Sequence, residues 1–352
     1  MNKRNYNKVR AHVKQMPTGV DFIKYTANRA SGIGKRLTKS TLVAYPQALA
    51  IEVTNQCNLR CITCARQYQH GKQMDVGYME IDLLKDIVDQ AYPYVGFISL
   101  TGLGESLLYK NMASALSYIK SKKRGIITGL STNASLTTTE KIIKDIRENL
   151  DIVQISIDGI GDVYNRIREN GNYDLFLDNV KKTVAATADC NTEVMFNIVL
   201  TKENFHQLTE LIDLAHHIGV KCVNLAPFNV TSTAHEISYY EFFKRKEFKA
   251  SYNEVLKRAK QYRDLELTYW RSKRHGHGFQ SCPSPWSNFY VTWDGYLVPC
   301  CAKPFPKELN FGNLREISLI ECLNESGFRA FRKMWHENKT PDFCTKCQFV
   351  YL

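Results

Sequence analysis

The chain has 352 residues, 44% of them hydrophobic, and carries 47 Lys and Arg against 35 Asp and Glu, a formal charge of +12. That is enough chain to bury a sizeable core and form one large domain with a smaller one. Its longest apolar runs, such as that from Val95 to Leu100, fall far short of the roughly 20 residues a membrane-spanning helix needs, so composition excludes a bundle of such helices. The first 40 residues are basic but lack the continuous apolar stretch and small-residue cleavage site of a secretory signal, and a cytoplasmic location is expected. In that setting eleven cysteines, several tightly clustered, point to metal ligation rather than disulfides.

The surplus charge sits largely in two segments, Lys3 to Lys39 and Lys244 to Arg274. It suits a solvated basic face or an acidic partner such as an electron-donor protein. The first 48 residues read as a basic arm. Between residues 49 and 230, β-rich runs alternate with amphipathic stretches of helical period, the pattern of repeated β/α units around a parallel sheet. Strands are predicted at 49–54, 96–101, 126–132, 152–158, 193–201 and 221–226, and helices at 80–91, 111–122, 138–149, 173–188 and 204–218. Thr138 and Asn204 supply helix-start signals. Polar residues alternate along the strands: Glu52 and Thr54, Ser99 and Thr101, Ser131 and Asn133, Gln154, Ser156 and Asp158, Asn197. Since a strand buried on both faces is nearly all apolar, one face of this sheet is expected to line a polar cavity, with the active site near the C-terminal strand ends. Residues 231–280 read as a helical connector, and 281–352, rich in Pro, Trp, Gly and Cys, as a small C-terminal domain.

Cys57, Cys61 and Cys64 place three thiolates on the loop behind the first strand. Three cysteines on one short loop suit three irons of a cubane and leave the fourth without a protein ligand. A structural zinc site wants four closed ligands, and the first neighbouring histidine is His70.

This triplet resembles that of the radical S-adenosylmethionine (SAM) superfamily, and the resemblance covers residues 49 to about 228. It implies a partial (β/α)6 barrel and a [4Fe–4S] cluster whose open iron chelates SAM. It also implies reductive cleavage of SAM to a 5′-deoxyadenosyl radical that abstracts hydrogen from a C–H bond; the cofactors supply the hard chemistry and the protein positions it. Further matches follow in strand order. Gly102, Gly104 and Glu105 resemble the segment that receives the SAM amino group, with Leu103 and Ser106 as departures. Ser131 and Asn133 resemble the strand at the ribose, and Ser156 with Asp158 and the downstream Arg168 resemble the elements that meet the carboxylate, for which an Arg fork is well shaped. Thr63 stands where the family often has an aromatic residue.

Cys282, Cys300, Cys344 and Cys347 frame the C-terminal domain, with Trp293-Asp294-Gly295 as a hairpin signal. Their order resembles the SPASM and shorter twitch extensions of the same superfamily, which hold auxiliary [4Fe–4S] clusters. Six cysteines beyond Ser281 favour one such cluster; a zinc ribbon is the alternative. Cys301 competes with Cys300 as the ligand. Cys222 and Cys301 are candidate hydrogen donors to a substrate radical, although Cys222 also reads as a packing residue, as do Cys190 and Cys322. His275 and His277 have metal-ligand spacing in a basic loop, and His216-His217 read as surface residues. The reading placed first is an oxidoreductase that oxidises a small polar metabolite, a sugar or aminocyclitol, through the auxiliary cluster, served by a flavodoxin- or ferredoxin-like donor. Its rivals are a ribosomal-peptide maturase, a radical sugar epimerase and a non-catalytic Fe–S or zinc protein that binds nucleic acid, the last the least favoured.

Overall fold

A computed structural model describes residues 18–122, 125–269, 282 and 284–352; His275 and His277 lie outside them. Six parallel strands, β1 (Ala48–Ile51), β2 (Phe97–Leu100), β3 (Ile127–Thr132), β4 (Ile152–Ser156), β5 (Glu193–Leu200) and β6 (Cys222–Pro227), stand where the alternation places them. Preceding them is α1 (Gly19–Leu37), and between them run α2 (Ile81–Ala91), α3 (Met112–Lys122), α4 (Thr139–Ile146), α5 (Tyr173–Ala186) and α6 (Leu208–Ile218). Then come α7 (Lys246–Ala259) and β7 (Glu266–Tyr269), a seventh parallel strand within the segment read as a helical connector.

Along β5, Val194, Phe196, Ile198 and Leu200 are buried while Met195, Asn197 and Val199 are half-buried, the period-two signature of a sheet with one face against helices. The half-buried face carries a row of neutral polar contacts from strand to strand. Thr101 Oγ1 donates to Ser131 Oγ (3.4 Å), Ser131 to Gln154 Oε1 (2.7 Å), Asn224 to Asn197 Oδ1 (2.7 Å) and Thr268 to Asn224 Oδ1 (3.0 Å). This is the polar face expected from the alternation in the sequence.

The C-terminal segment joins the same sheet. β8 (Asn288–Val291) pairs in parallel with β1, and β9 (Leu297–Val298) turns back antiparallel to β8, giving the order β7-β6-β5-β4-β3-β2-β1-β8-β9. Gly295, at φ +96°, takes the left-handed position that the Asp-Gly turn requires. Two helices follow, α8 (Leu319–Asn324) and α9 (Ser326–His336), separated where Glu325 caps the second through the N–H of Gly327. Arg332 on α9 is fully buried and donates to the carbonyls of Pro285, Thr41 and Leu323, tying both ends of the chain together.

One start signal has a different use. Asn204 does not cap α6; its side chain accepts from Thr201 N–H and donates to the carbonyls of Asp158 and Val199, clamping the ends of β4 and β5. Thr138 makes no side-chain cap either. No helix among the described residues is long and apolar enough to cross a membrane.

Candidate active site

The cysteine loop leaves the C-terminal end of β1 and is held on both flanks. Thr54 donates to Gly77 O (2.7 Å), and Asn55 bonds Asp75 O and Gly77 N–H. On the other side the N–H groups of Arg60 and Ile62 donate to Glu169 O and Ile167 O, at the end of a short helix, Asp162–Ile167. Cys57 Sγ accepts from Leu59 N–H (3.5 Å) and Asn133 Nδ2 (3.6 Å), and Cys61 Sγ lies 4.0 Å from an Arg168 guanidinium nitrogen. Burial raises the pKa of all three, with smaller contributions from neighbouring thiols at Cys57 and Cys61 and from Glu52 at Cys64, and Cys61 is pushed up to about 12. Sulfurs that resist ionisation together are a set that a cationic iron centre would ionise. Among the described residues no three or more His, Cys, Asp or Glu side chains are arranged around a single metal ion.

Against this loop lies the segment behind β2. Glu105 is buried; its carboxylate accepts from Leu107 N–H (3.0 Å) and Asn133 N–H (2.6 Å), and burial raises its pKa. Gly104 passes so close to the cysteine loop that a Cβ would stand 2.4 Å from the carbonyls of Thr54 and Gln56, and at Gly102 one would stand 2.3 Å from the Glu52 side chain. Both glycines are thus explained by protein packing. Asn133 reaches Asn58 as well as Cys57, which joins the third strand end to the loop.

Asp158 and Arg168 form a buried ion pair at 2.6 Å, and the second Asp158 oxygen accepts from Val199 N–H (2.9 Å). Asp158 therefore orients Arg168, whose Nε is buried with no partner. An unpaired guanidinium donor beside the thiols suits the carboxylate of an amino acid ligand. Ser131 and Ser156 lie half-buried on the open face. The donor set (three thiols, a buried carboxylate and a spare Arg N–H) fits a [4Fe–4S] cluster with SAM. Cys222, the other inward candidate, is the first residue of β6, at the end of the sheet opposite the cysteine loop.

A second thiol site lies in the C-terminal domain. Cys282, Cys300, Cys301, Cys344 and Cys347 line one pocket whose remaining wall includes Pro285, Pro299, Phe331, Phe343 and Phe349. Burial raises the pKa of Cys300, Cys344 and Cys347, the last to about 11. Cys301 is exposed and Cys300 half-buried. Lys303, itself buried, pairs with Glu308 and donates to Phe343 O (2.9 Å). Asn229 Nδ2 lies 3.9 Å from Cys347 Sγ, and Tyr240 donates to Lys346 O, so the segment behind β6 packs on the terminal cysteine pair. Cys322 is fully buried in the core, whereas Cys190 is half-buried.

Several residues here carried no signal of their role. Glu52, legible only as a polar position on the first strand, is fully buried and accepts from Leu103 N–H, Tyr290 O–H and Trp293 N–H; burial pushes its carboxyl up to about 7. Lys303 and Arg332 belong to contacts made only after folding.

The radical SAM superfamily profile matches residues 51–215, and the profile of SPASM, an iron–sulfur cluster-binding domain, matches residues 282–348. The chain belongs to the radical SAM superfamily and carries a C-terminal SPASM domain. Membership brings a [4Fe–4S] cluster and SAM, and the SPASM domain brings auxiliary iron–sulfur binding.

Over 322 residues the chain is 28% identical to the tungsten-containing aldehyde ferredoxin oxidoreductase cofactor-modifying protein of Pyrococcus furiosus, covering 85% of this chain and 86% of that one. It is 23% identical over 309 residues to the PqqA peptide cyclase of Rhizobium meliloti, covering 86% and 80%. The solved structure of Streptococcus suis SuiB bound to precursor peptide SuiA shares the fold, with a TM-score of 0.68 at 16% identity over 92% of this chain and 74% of that one.

Proposed function

We propose that this protein is a peptide-modifying radical SAM maturase, which forms a crosslink within a peptide substrate. The observation that carries this reading is the similarity to the PqqA peptide cyclase, which runs through 86% of the chain. It moves the preference away from the sugar or aminocyclitol substrate placed first on sequence alone. When bound, the [4Fe–4S] cluster and SAM would supply a 5′-deoxyadenosyl radical to abstract hydrogen from the peptide, and an auxiliary cluster would be the acceptor for the one electron that must leave, with a proton, as the new bond closes.

The chain's own residues divide the work by position. Cys57, Cys61 and Cys64 hold the first cluster, with Asn133 donating to Cys57 Sγ. Gly102, Gly104 and Glu105 receive the amino group of SAM, and Arg168, oriented by Asp158, takes its carboxylate through the spare Nε–H. Ser131 and Ser156 line the ribose side. Cys282, Cys300, Cys344 and Cys347 hold one auxiliary cluster, and Cys300 is preferred to Cys301 because it is the less exposed of the two. The neutral hydroxyl and amide row across β2 to β7 suits peptide groups, which hydrogen-bond without charge. An acidic electron donor suits a protein of net charge +12.

The test is substrate-dependent turnover. Reduced, reconstituted protein is given SAM with either a panel of candidate precursor peptides or an aminocyclitol. A peptide that loses two hydrogen atoms by mass spectrometry supports the maturase; oxidation of the aminocyclitol alone refutes it. A second reading, modification of a metal cofactor's organic part, is favoured by the likeness to the cofactor-modifying protein over 85% of the chain.

A further inference from the structure

Glu52 sits one residue beyond β1, where the cysteine loop begins, and is fully buried. No Lys or Arg bonds it among the described residues. Its carboxylate is held by hydrogen-bond donors alone: Leu103 N–H at 2.8 Å and Tyr290 O–H at 2.6 Å on Oε2, and the longer Trp293 N–H at 3.5 Å on Oε1. A buried carboxylate without a counter-cation is costly, and it persists only where the fold supplies donors to it.

The donors come from two separate places. Leu103 lies within the 102–105 segment, which packs on the backbone of the cysteine loop at Thr54 and Gln56. Tyr290 and Trp293 belong to β8 and the turn behind it, the part of the C-terminal domain that joins the barrel sheet. Among the described residues the other hydrogen bonds of the 102–105 segment lie at its ends: Thr101 N–H to Ile51 O (3.1 Å) before it, and at Glu105 the bonds from its N–H to Gln56 O (2.7 Å) and to its carboxylate from Leu107 and Asn133 N–H. Its middle rests on Glu52, which also fills the space a side chain at position 102 would need.

We propose that Glu52 is a positioning residue: it holds the segment that would receive the SAM amino group and, through the Tyr290 hydroxyl, ties that segment to the seating of the C-terminal domain. The proposal rests on assigning residues 102–105 to SAM. Glu52 itself need not touch SAM. Moving β8 relative to β1 would move the Glu52 Oε2 atom that accepts from both the Tyr290 hydroxyl and the Leu103 amide, so the SAM site and the auxiliary-cluster domain report on each other through one carboxylate.

The experiment uses the full-length reconstituted protein and three substitutions, Glu52→Ala, Glu52→Gln and Tyr290→Phe. SAM binding is read by equilibrium dialysis, and the reduced first cluster by electron paramagnetic resonance with and without SAM, at matched iron content. Loss of one charge-assisted hydrogen bond is worth about a tenfold change in affinity or more. Glu52→Ala is expected to weaken SAM binding at least tenfold, Glu52→Gln to restore most of it because the amide oxygen still accepts from Leu103, and Tyr290→Phe to weaken it severalfold and alter the SAM-induced spectral change. If Glu52→Ala does not fold, Tyr290→Phe decides. Wild-type affinity and spectra in Tyr290→Phe, or wild-type affinity in a folded Glu52→Ala, overturn the proposal. Glu105→Ala separates the underlying assignment: if it too leaves SAM affinity unchanged, residues 102–105 do not receive SAM and the inference falls with them.

Discussion

At the residue scale, buried charge does the most specific work, and its placement was the least legible feature of the sequence. Glu105, Asp158 and Arg168 were recognisable because each sits in a short motif in strand order. Glu52 reads as one more polar residue on a lumen-facing strand, and its role needs Tyr290, 238 positions away. Its carboxyl titrates near 7 when folded and near 4.5 when unfolded, so the folded state binds more protons in between. Stability is therefore present below about 4.5 and lost as pH rises through about 7, by roughly 3 kcal/mol for a shift of this size. Thermal melts of the metal-free protein should show the wild type losing stability relative to Glu52→Gln over that window; parallel curves would deny the buried carboxylate. Arg332 carries a different burden. Replacing it with Met takes this donor from three carbonyls, those of Pro285 and Leu323 in buried bonds and that of Thr41 in a partly buried one, and should lower unfolding free energy by roughly 3 kcal/mol, read from urea denaturation, with a change under about 0.5 kcal/mol contradicting the staple.

At the element scale, the six barrel strands and their helices emerged within a few residues of where alternation and period put them, because each strand has one face on helices and one on a polar space. β7 was missed for a physical reason: Glu266–Tyr269 follows a charged, aromatic helix rather than a β/α unit, and only pairing with β6 makes those four residues a strand. Similarly, the Asp-Gly turn identified the β8–β9 hairpin, but nothing local says that β8 pairs with β1. That pairing makes the C-terminal segment structural. Truncation before Cys282 would strip β1 of β8, one of its two partner strands, and leave a row of unpaired backbone groups. The shortened chain should aggregate, measured by size-exclusion chromatography; a soluble monomer with a cooperative melt would show that the barrel is complete without it.

On the scale of the whole molecule, one sheet carries two thiol sites, one behind β1 and one beyond the strand that pairs with β1. The triplet Cys57, Cys61 and Cys64 was legible from spacing, and it lies within the residues that the superfamily profile matches, 51–215. The substrate was not legible, because it depends on the surfaces around the open face rather than on any motif; relatives along most of the chain, not spacing, moved the reading to a peptide. The account stands on SAM cleavage at the first site. Anaerobically reconstituted protein, reduced in the presence of SAM, should release 5′-deoxyadenosine, detected by liquid chromatography and mass spectrometry. Replacing Cys57, Cys61 and Cys64 together with Ala should abolish it, while Cys344→Ala with Cys347→Ala should spare it and impair only product formation. No 5′-deoxyadenosine from the wild type, or cleavage that survives loss of the triplet, would contradict the account.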